Sequence, residues 1–205
     1  MTNLRELFGD IDIYLFDQIM KGRFAPGAAI LDAGCGYGRN MPYFLQNGYR
    51  MYGVDSSSEA IAQVRLMAEA MSPQSPAERF CAAFVDKMPF DNNYFDGVIC
   101  NAILHFAQDE EHFERMVLEI WRVLKPGGIF FARLASTIGI ESRVIPLAGQ
   151  GARRVHLPDG SDRFLVDEAM LKNWTARLRG SFLESIKTVN VENQRCMTNW
   201  VLKKS

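Results

Sequence analysis

The sequence predicts an α/β domain built on a mostly parallel sheet, with helices on both faces. Short apolar runs alternate along the chain with segments whose apolar residues recur at helical spacing. The early runs, at 29–33 and 51–54, are apolar at nearly every position, as strands buried on both faces are. The last two runs, 182–191 and 194–202, are joined by a turn too short for a crossover, so we expect them to pair antiparallel.

Glycine, proline and capping residues mark the limits of the elements in the first half. Residues 11–23 carry a helical apolar stripe, which Pro26 and Gly27 end before the first strand. A glycine-rich turn, 34–38, follows that strand, and a helix is predicted over 39–47. After the second strand, one of the serines at 56–58 caps a helix that runs to about residue 71.

In the second half, apolar runs at 79–85, 95–100 and 129–134 predict the third, fourth and fifth strands. Asp109 can cap a helix between the last two of these strands, and the Lys-Pro-Gly-Gly run at 125–128 ends it. Residues 136–165 hold glycine, proline and four arginines without a clean period, which indicates an irregular insertion. Asp167 can cap a last helix before the final pair of strands.

The composition is that of a globular domain rather than of a disordered chain or a nucleic-acid-coating protein. The 205 residues are 48% hydrophobic and 23% charged, and 23 basic against 24 acidic residues give a net charge of −1. Apolar stretches fall short of the roughly 18 residues of a membrane span, and acidic residues interrupt the N-terminal segment where a signal peptide would be apolar. The four cysteines lack CxxC spacing and the three histidines are scattered, so we expect a cytoplasmic protein without a metal site.

Acidic residues and glycines stand where the predicted parallel strands end, which is where ligands bind in open α/β sheets. Glycines at 34, 36 and 38 let the backbone approach a ligand, but Arg39 stands where a dinucleotide-binding GxGxxG motif has its third glycine. Asp55 suits the two hydroxyls of a ribose, and Asp86 suits an exocyclic amine such as that of adenine. Taken singly, each of these features also has a structural explanation: the glycines as a tight turn, Asp55 as a helix cap and Asp86 as a solvated loop aspartate.

Four runs in order carry a resemblance to a known family: ILDAGCGYGRN, YGVDSS, FVDKMPFDNNYFDGVICNAILHF and WRVLKPGGIFF. Over about residues 29–135 the chain resembles the class I S-adenosylmethionine-dependent methyltransferases, and most of all the small-molecule branch that includes tellurite-resistance-type enzymes. The resemblance implies a Rossmann-like fold of seven strands in the order 3-2-1-4-5-7-6, with the seventh antiparallel. It also implies one methyltransferase domain over 1–205.

The resemblance implies S-adenosylmethionine as the cofactor. Asp32 and the glycines would shape the pocket for its methionyl part, Asp55 would hold the ribose, Asp86 would bind the adenine amine, and Asn101 would lie near the methyl group. The full set of cofactor-binding residues that it implies is Asp32, Gly34, Cys35, Gly36, Gly38, Arg39, Asn40, Asp55, Ser56, Asp86, Lys87, Met88 and Asn101.

The expected reaction is an in-line displacement that transfers the methyl group to a small-molecule acceptor. Such a reaction needs an aligned nucleophile, and a base only if that nucleophile is protonated. His105, just beyond the fourth strand, and Tyr14, on the N-terminal helix, are the candidate catalytic residues. The candidate substrate-binding residues are Tyr14, His105, Arg133 and Arg143.

Two segments outside the family motifs are expected to cover the acceptor: an N-terminal helical cap, 1–28, and the insertion 136–165. Arginines in the insertion could bind a carboxylate or phosphate, although nearby acidic residues offset them. Methylation of a protein or RNA, or cofactor binding without catalysis, are the alternatives. Labelled-methyl transfer into lysate fractions would favour the first alternative, and binding without turnover the second. Membrane partners are not expected, and nucleic acid is disfavoured.

Overall fold

The computed structural model describes residues 4–149, 151 and 153–205. Residues 1–3, 150 and 152, which belong to the predicted cap and insertion, lie outside the described residues. The strands are β1 (Ala29–Ala33), β2 (Arg50–Asp55), β3 (Phe80–Ala82), β4 (Phe95–Asn101), β5 (Leu124–Ser136), β6 (Ile145–Pro146), β7 (Arg154–His156), β8 (Asp162–Phe164), β9 (Gly180–Phe182), β10 (Lys187–Val191) and β11 (Arg195–Lys204). The α-helices are α1 (Leu4–Phe8), α2 (Ile13–Met20), α3 (Pro42–Gln46), α4 (Ser58–Met71), α5 (Glu110–Val123) and α6 (Glu168–Arg177).

The central sheet has the strand order β3-β2-β1-β4-β5-β11-β10, and β9 also pairs with β11. Strands β1 to β5 pair in parallel, whereas β11 runs antiparallel to β5, β9 and β10. Because β9 and β10 follow each other along the same edge of β11, they are two pieces of the sixth strand. The predicted order 3-2-1-4-5-7-6, with an antiparallel seventh strand, is confirmed.

The sixth strand differs from its prediction because it is interrupted. Phe182 pairs with Leu202 and Lys187 pairs with Asn199, so residues 183–186 face only two residues of β11. The two surplus residues leave the ladder, as in an enlarged bulge. The third strand is also shorter than predicted, because residues 84–87 fold into a bridged turn. The fifth strand is longer, because Leu124 already pairs with Phe95 before the glycines of the 125–128 run.

Alternate residues along the central strands enter two different cores. Leu31 and Phe130 pack in a core with α5 and α6, whereas their neighbours Ile30 and Phe131 pack in a core with α3 and α4. This alternation is the two-residue period of a strand. Both faces of the sheet are therefore buried, which explains why the early strands read as continuous apolar runs.

Side-chain caps begin the three long helices where the sequence predicts them. Ser57, Asp109 and Asp167 each accept a hydrogen bond from the backbone N–H three residues further on, at 2.7–3.1 Å. The helix predicted over 11–23 is shorter, because it begins after Asp12, whose carboxylate accepts from the N–H of Tyr14 at 2.9 Å. None of the helices within the described ranges is long and apolar enough to cross a membrane.

The insertion is more ordered than its sequence indicates. It contains a small antiparallel sheet in the order β6-β7-β8. Val155, Leu157 and Leu165 pack with Ala135 of β5 and Met197 of β11 in a third apolar cluster. The small sheet therefore sits against the carboxyl end of β5 and the start of β11, and not on the outer faces of the central sheet.

We expect Trp200→Phe to lower the free energy of unfolding by about 1–3 kcal/mol, because the buried Trp200 Nε1–H donates to Thr175 Oγ1 at 2.9 Å and phenylalanine cannot. Urea unfolding measures this loss. The control is Trp121→Phe, at a half-buried tryptophan of α5, which should cost less. Equal losses in the two variants would contradict this account.

Candidate functional site

The glycine-rich turn after β1 is fastened to the end of β2. The N–H groups of Gly34 and Cys35 both donate to the carbonyl of Val54, at 2.8 and 2.9 Å, and Gly36 N–H donates to Asp55 Oδ2 at 2.8 Å. Gly34 has φ +76°, and a Cβ there would stand 2.2 Å from the side chain of Ile103. Glycine is thus required at position 34 both by backbone conformation and by close approach.

Asp55 forms part of a cavity of about 320 Å³ at this edge of the sheet, which we call the Asp55 cavity. Asp55 Oδ1 accepts from Ser57 N–H at 2.9 Å, so backbone amides orient both of its oxygens. The wall opposite is made by the predicted Asp86. The lining residues are Gly34, Asp55, Ser56, Ala83, Phe84, Val85, Asp86, Ile103, Phe106, His112 and Met116.

Asp86 is held in place by α5. Its Oδ2 lies 3.5 Å from Arg115 Nε and 3.7 Å from His112 Nε2. The carboxylate is half-buried, so these neighbours orient it without taking it out of solvent. Asp55 and Asp86 therefore line one cavity, Asp55 from the end of β2 and Asp86 from the bridged turn after β3 rather than from a strand end, and their roles toward the cofactor stay predictions.

Asp32 and Asn101 end two neighbouring parallel strands and are both buried, at 1% and 6% exposure. Within the described part of the chain, neither oxygen of Asp32 and neither side-chain polar atom of Asn101 has a hydrogen-bond partner. Burial raises the pKa of Asp32 to about 7, against the opposing effects of the Arg39 charge and of the nearby Asn40 side chain. Buried polar groups are nearly always paired, so these two side chains fit a polar ligand at the edge of the sheet.

A second cavity, of about 270 Å³, opens on the other side of the 101–103 segment. Ala102 lines this cavity while Ile103 lines the Asp55 cavity, so the two meet at that segment. We call it the arginine cavity, because four guanidinium groups line it. Its residues are Arg39, Ala102, His105, Arg133, Ala135, Leu157, Asp159, Ser161, Arg163, Val191, Arg195 and Met197.

Asp12 joins the N-terminal helix to both parts of the site. Its buried Oδ2 lies 3.2 Å from Arg133 Nη1 and 3.6 Å from Arg39 Nη2, and its N–H donates to Asn40 Oδ1 at 3.1 Å. The ring of Tyr14 stacks on the Arg133 guanidinium, 5.0 Å from ring centre to Cζ. Tyr14 and Asn40 therefore position other residues of the site, and their predicted direct roles toward substrate and cofactor stay predictions.

His105 lines the arginine cavity as a neutral ring. Its Nδ1 accepts from the N–H of Ala135 at 3.2 Å, which leaves the hydrogen on Nε2. Burial, and after it the charges of Arg163, Arg195 and Arg133, lowers its pKa to about 4. Since its only lone pair is already engaged, His105 suits a hydrogen-bond donor to the acceptor better than the general base that the sequence suggests.

Several residues of the predicted cofactor set serve the framework. Cys35 packs in the α3–α4 core, where a Cβ on Gly38 would stand 2.5 Å from the end of Met67. Met88 is buried in the α5–α6 core, and its N–H donates to Glu119. Lys87 is exposed in the turn after β3. Side-chain contacts with the cofactor from these residues stay predictions.

The arginines of the insertion separate into different roles. Arg153 bonds Asp167 at 2.9 Å and Arg154 bonds the carbonyl of Ala107 at 3.3 Å, so both anchor the small sheet. Arg163 lines the arginine cavity. Arg143, predicted to bind substrate, is exposed in a 3₁₀ turn and is not among the residues that line this cavity, because the turn lies before the small sheet begins.

Sequence reasoning missed Asp12, Arg195 and Asp159, along with the His112 and Arg115 contacts to Asp86. Asp12 stands just before a helical stripe, where a cap is expected, so its local role was detectable. Its ion pairs with Arg133 join residues 121 positions apart, and no local pattern signals them.

The strand order, the glycine turn and the acidic strand ends define a Rossmann-like methyltransferase domain. A family model described as a methyltransferase domain matches residues 31–132. A malonyl-[acyl-carrier protein] O-methyltransferase of Enterobacter lignolyticus is 29% identical over 164 residues, which are 80% of this chain and 58% of that protein. The matched domain, residues 31–132, is that of the class I S-adenosylmethionine-dependent methyltransferase family. The resemblance to its tellurite-resistance-type branch stays a prediction.

Solved structures agree with the fold over nearly the whole chain. A SAM-dependent methyltransferase from Methanosarcina mazei matches with a TM-score of 0.72 at 20% identity, covering 91% of this chain and 96% of the other. The 1,6-didemethyltoxoflavin-N1-methyltransferase of Burkholderia thailandensis, solved with 1,6-didemethyltoxoflavin and S-adenosylhomocysteine, matches with a TM-score of 0.66 at 21% identity, over 93% and 76%. The chain spans about half the length of the curated relatives it matches first, at 58% and 46%.

The residues present fit the cofactor of this family. Asp32 and Asn101 are buried and unpaired in the described structure, Asp55 is oriented toward a cavity, and the glycine turn leaves open space where a Cβ on Gly36 would point. An amino-acid ammonium or sulfonium beside Asp32, and ribose hydroxyls on Asp55, would satisfy these groups.

We expect the difference in free energy of unfolding between Asp32→Asn and the wild type to depend on pH. The pKa of Asp32 rises from 3.8 to about 7 in the folded state, so its contribution is fully present below pH 4 and is lost as the pH rises through 7. Between pH 4 and pH 7 the free energy of unfolding of the variant should rise, relative to that of the wild type, by at most about 1.4 kcal/mol per pH unit. Urea titrations at pH 4.5, 6 and 7.5 measure this.

His105 makes the free energy of unfolding depend on pH in the direction opposite to Asp32. Comparing the variant with the wild type at each pH removes this contribution. The lowered pKa of His105 makes the folded state lose stability as the pH falls from 6.5 toward 4 in both proteins. A difference that stays constant over the three pH values would show that Asp32 is ionised in the free protein.

Proposed function

We propose that this chain transfers a methyl group from S-adenosylmethionine to a small-molecule acceptor bound in the arginine cavity. The observation that carries the proposal is that adjacent residues, Ala102 and Ile103, line the two cavities, directly after the buried Asn101 at the end of β4. When bound in the Asp55 cavity, the cofactor supplies an electrophilic methyl group on its sulfonium. The sulfur keeps the bonding electron pair after the transfer.

The residues of the Asp55 cavity are assigned to the cofactor. Asp55 accepts hydrogen bonds from the ribose hydroxyls, and Asp86 accepts from the adenine amine. Phe84 and Phe106, which are exposed at 69% and 51%, supply apolar walls to this cavity. Asp32, buried near the end of β1, balances the positive charge of the cofactor, and Asn101 offers both a donor and an acceptor beside the transferred group.

The cavity geometry supports a small acceptor. A volume of about 270 Å³ lies at the lower end of ordinary ligand pockets, and the small sheet forms one wall of it. The names of the curated relatives point to acceptors of several kinds, among them malonyl-[acyl-carrier protein] and 24-methylenesterol. The macromolecular and non-catalytic alternatives are tested by the two experiments given with them above.

The acceptor side of the site works by positioning. The Nε2–H of His105 and the guanidinium groups can hold and orient an acceptor within reach of the methyl group, which is the main requirement of an in-line transfer. With its Nδ1 engaged, His105 is not placed to remove a proton. We therefore expect an acceptor whose nucleophilic atom is already unprotonated at neutral pH.

We expect S-adenosylhomocysteine at about 100 times its Kd to raise the Tm by roughly 5–11 °C, since binding to the native state adds about 2.7 kcal/mol. NAD and ATP serve as ligand controls, because the turn lacks their motifs. A selective shift supports the proposed function. No shift in a well-folded protein would contradict it.

Asp55→Ala and Asp86→Ala should each weaken S-adenosylhomocysteine binding by about tenfold or more in calorimetry, because hydrogen bonds to a charged group are lost. The matched control is Asp91→Ala, which removes an exposed aspartate outside the residues that line the Asp55 cavity. Unchanged binding in both site variants would show that the cofactor lies elsewhere.

A further inference from the structure

We infer that the acceptor is an oxyanion, a small molecule bearing a carboxylate or phosphate, and that the arginine cavity binds this group. The inference rests on the proposed function, because only methyl transfer makes the bound anion an acceptor. The anion-binding site itself is built from residues of this chain.

The charges of the cavity do not balance among its own residues. Four arginines line it, and Asp159 is the one acidic residue among those lining residues. Adding Asp12, which lies beneath Arg39 and Arg133, still leaves four positive groups against two negative ones. Like charges that converge on one space repel each other, so an anion between them is strongly favoured.

The arginines reach the cavity from separate parts of the fold. Arg39 follows the glycine turn, Arg133 lies on β5, Arg163 on β8 and Arg195 at the start of β11. A solvated basic face usually comes from neighbouring positions on one element, whereas here four distant segments place one guanidinium each. That convergence is the arrangement expected of an anion-binding site.

Two of the guanidinium groups are fixed in orientation and keep unused donors. Arg133 donates through Nη1 to Asp12, while its Nε is buried without a partner in the described structure. Arg163 lies over the ring of Phe106, 4.8 Å from the ring centre, and donates through Nη1 to the carbonyl of Asp162. Planar, pre-oriented guanidinium groups with free N–H donors match carboxylate and phosphate oxygens.

His105 adds an uncharged N–H donor to the arginine cavity. Its Nδ1 is engaged by Ala135, so the hydrogen is on Nε2. Burial lowers the pKa of the ring, and the charges of Arg163, Arg195 and Arg133 lower it further, so the ring is unprotonated at neutral pH. The positive potential of these arginines is the same potential that would attract an oxyanion.

Phe106 makes the two cavities interdependent. Its ring is a wall of the Asp55 cavity, and its face carries the guanidinium of Arg163. An oxyanion held by Arg163 therefore lies next to the cofactor cavity. The cofactor is positively charged at its sulfonium, so the acceptor and the cofactor are electrostatically complementary.

The test is calorimetric titration of the full chain, saturated with S-adenosylhomocysteine, with malonate, succinate and inorganic phosphate. The neutral probes malonamide and succinamide are the ligand controls. We expect at least one of the anions to bind and neither amide to do so. The carboxylate and phosphate arms then distinguish the two sources of the oxyanion.

The double variant Arg163→Gln/Arg195→Gln should weaken anion binding at least about tenfold, because two charged hydrogen-bond donors are lost. The control Lys172→Gln/Arg177→Gln removes the same charge from the exposed face of α6 and should bind the anions like the wild type. Thermal unfolding of each variant confirms that it is folded before it is titrated.

The outcomes separate this inference from the proposed function. Binding of S-adenosylhomocysteine with no binding of any anion, or with equal anion binding in the two double variants, overturns the inference and leaves the function intact. Anion binding that depends on Arg163 and Arg195, in a protein that does not bind S-adenosylhomocysteine, supports the anion site and overturns the function.

Discussion

Parallel pairing of β1 with β2 on one side and with β4 on the other is the constraint on which the site depends. Asp32 pairs in register with Gly53 and with Ile99, so the ends of all three strands lie at one edge of the sheet. Asp32, Asp55 and Asn101 are brought together there although they are far apart in sequence. The glycine turn is possible only at this edge, because its N–H groups need the carbonyl of Val54 and the carboxylate of Asp55.

The two cavities at this edge are lined by side chains of opposite charge. Asp55 and Asp86 make one side acidic, and the four arginines make the other side basic. A cofactor with a positive sulfonium suits the first, and a negatively charged acceptor suits the second. Asp12 stands at the boundary, where it partly offsets Arg39 and Arg133 and holds them in place.

The strand order and the cofactor side of the site follow from local patterns. Apolar runs predict the strands, and the acidic residue after each run needs only its strand to be placed correctly. The acceptor side depends on long-range contacts. Arg195 enters the cavity only because β11 is inserted between β5 and β10, and the small sheet forms only because Val155 and Leu157 find Ala135 to pack on. The break in the sixth strand arises in the same way, from a mismatch in length with β11.

This division explains why sequence names the cofactor of such a protein more readily than its substrate. The residues assigned to the cofactor include the glycine turn and the carboxylate of Asp55, which the ends of β1 and β2 place. The arginine cavity, by contrast, is lined in large part by the insertion and the start of β11, which lie outside the residues that the family model matches. Asp12, which caps α2, ties the start of that helix to Arg133 of the arginine cavity. The Asp12 contacts also link the start of α2 to Arg39 and Asn40, which directly follow the glycine turn.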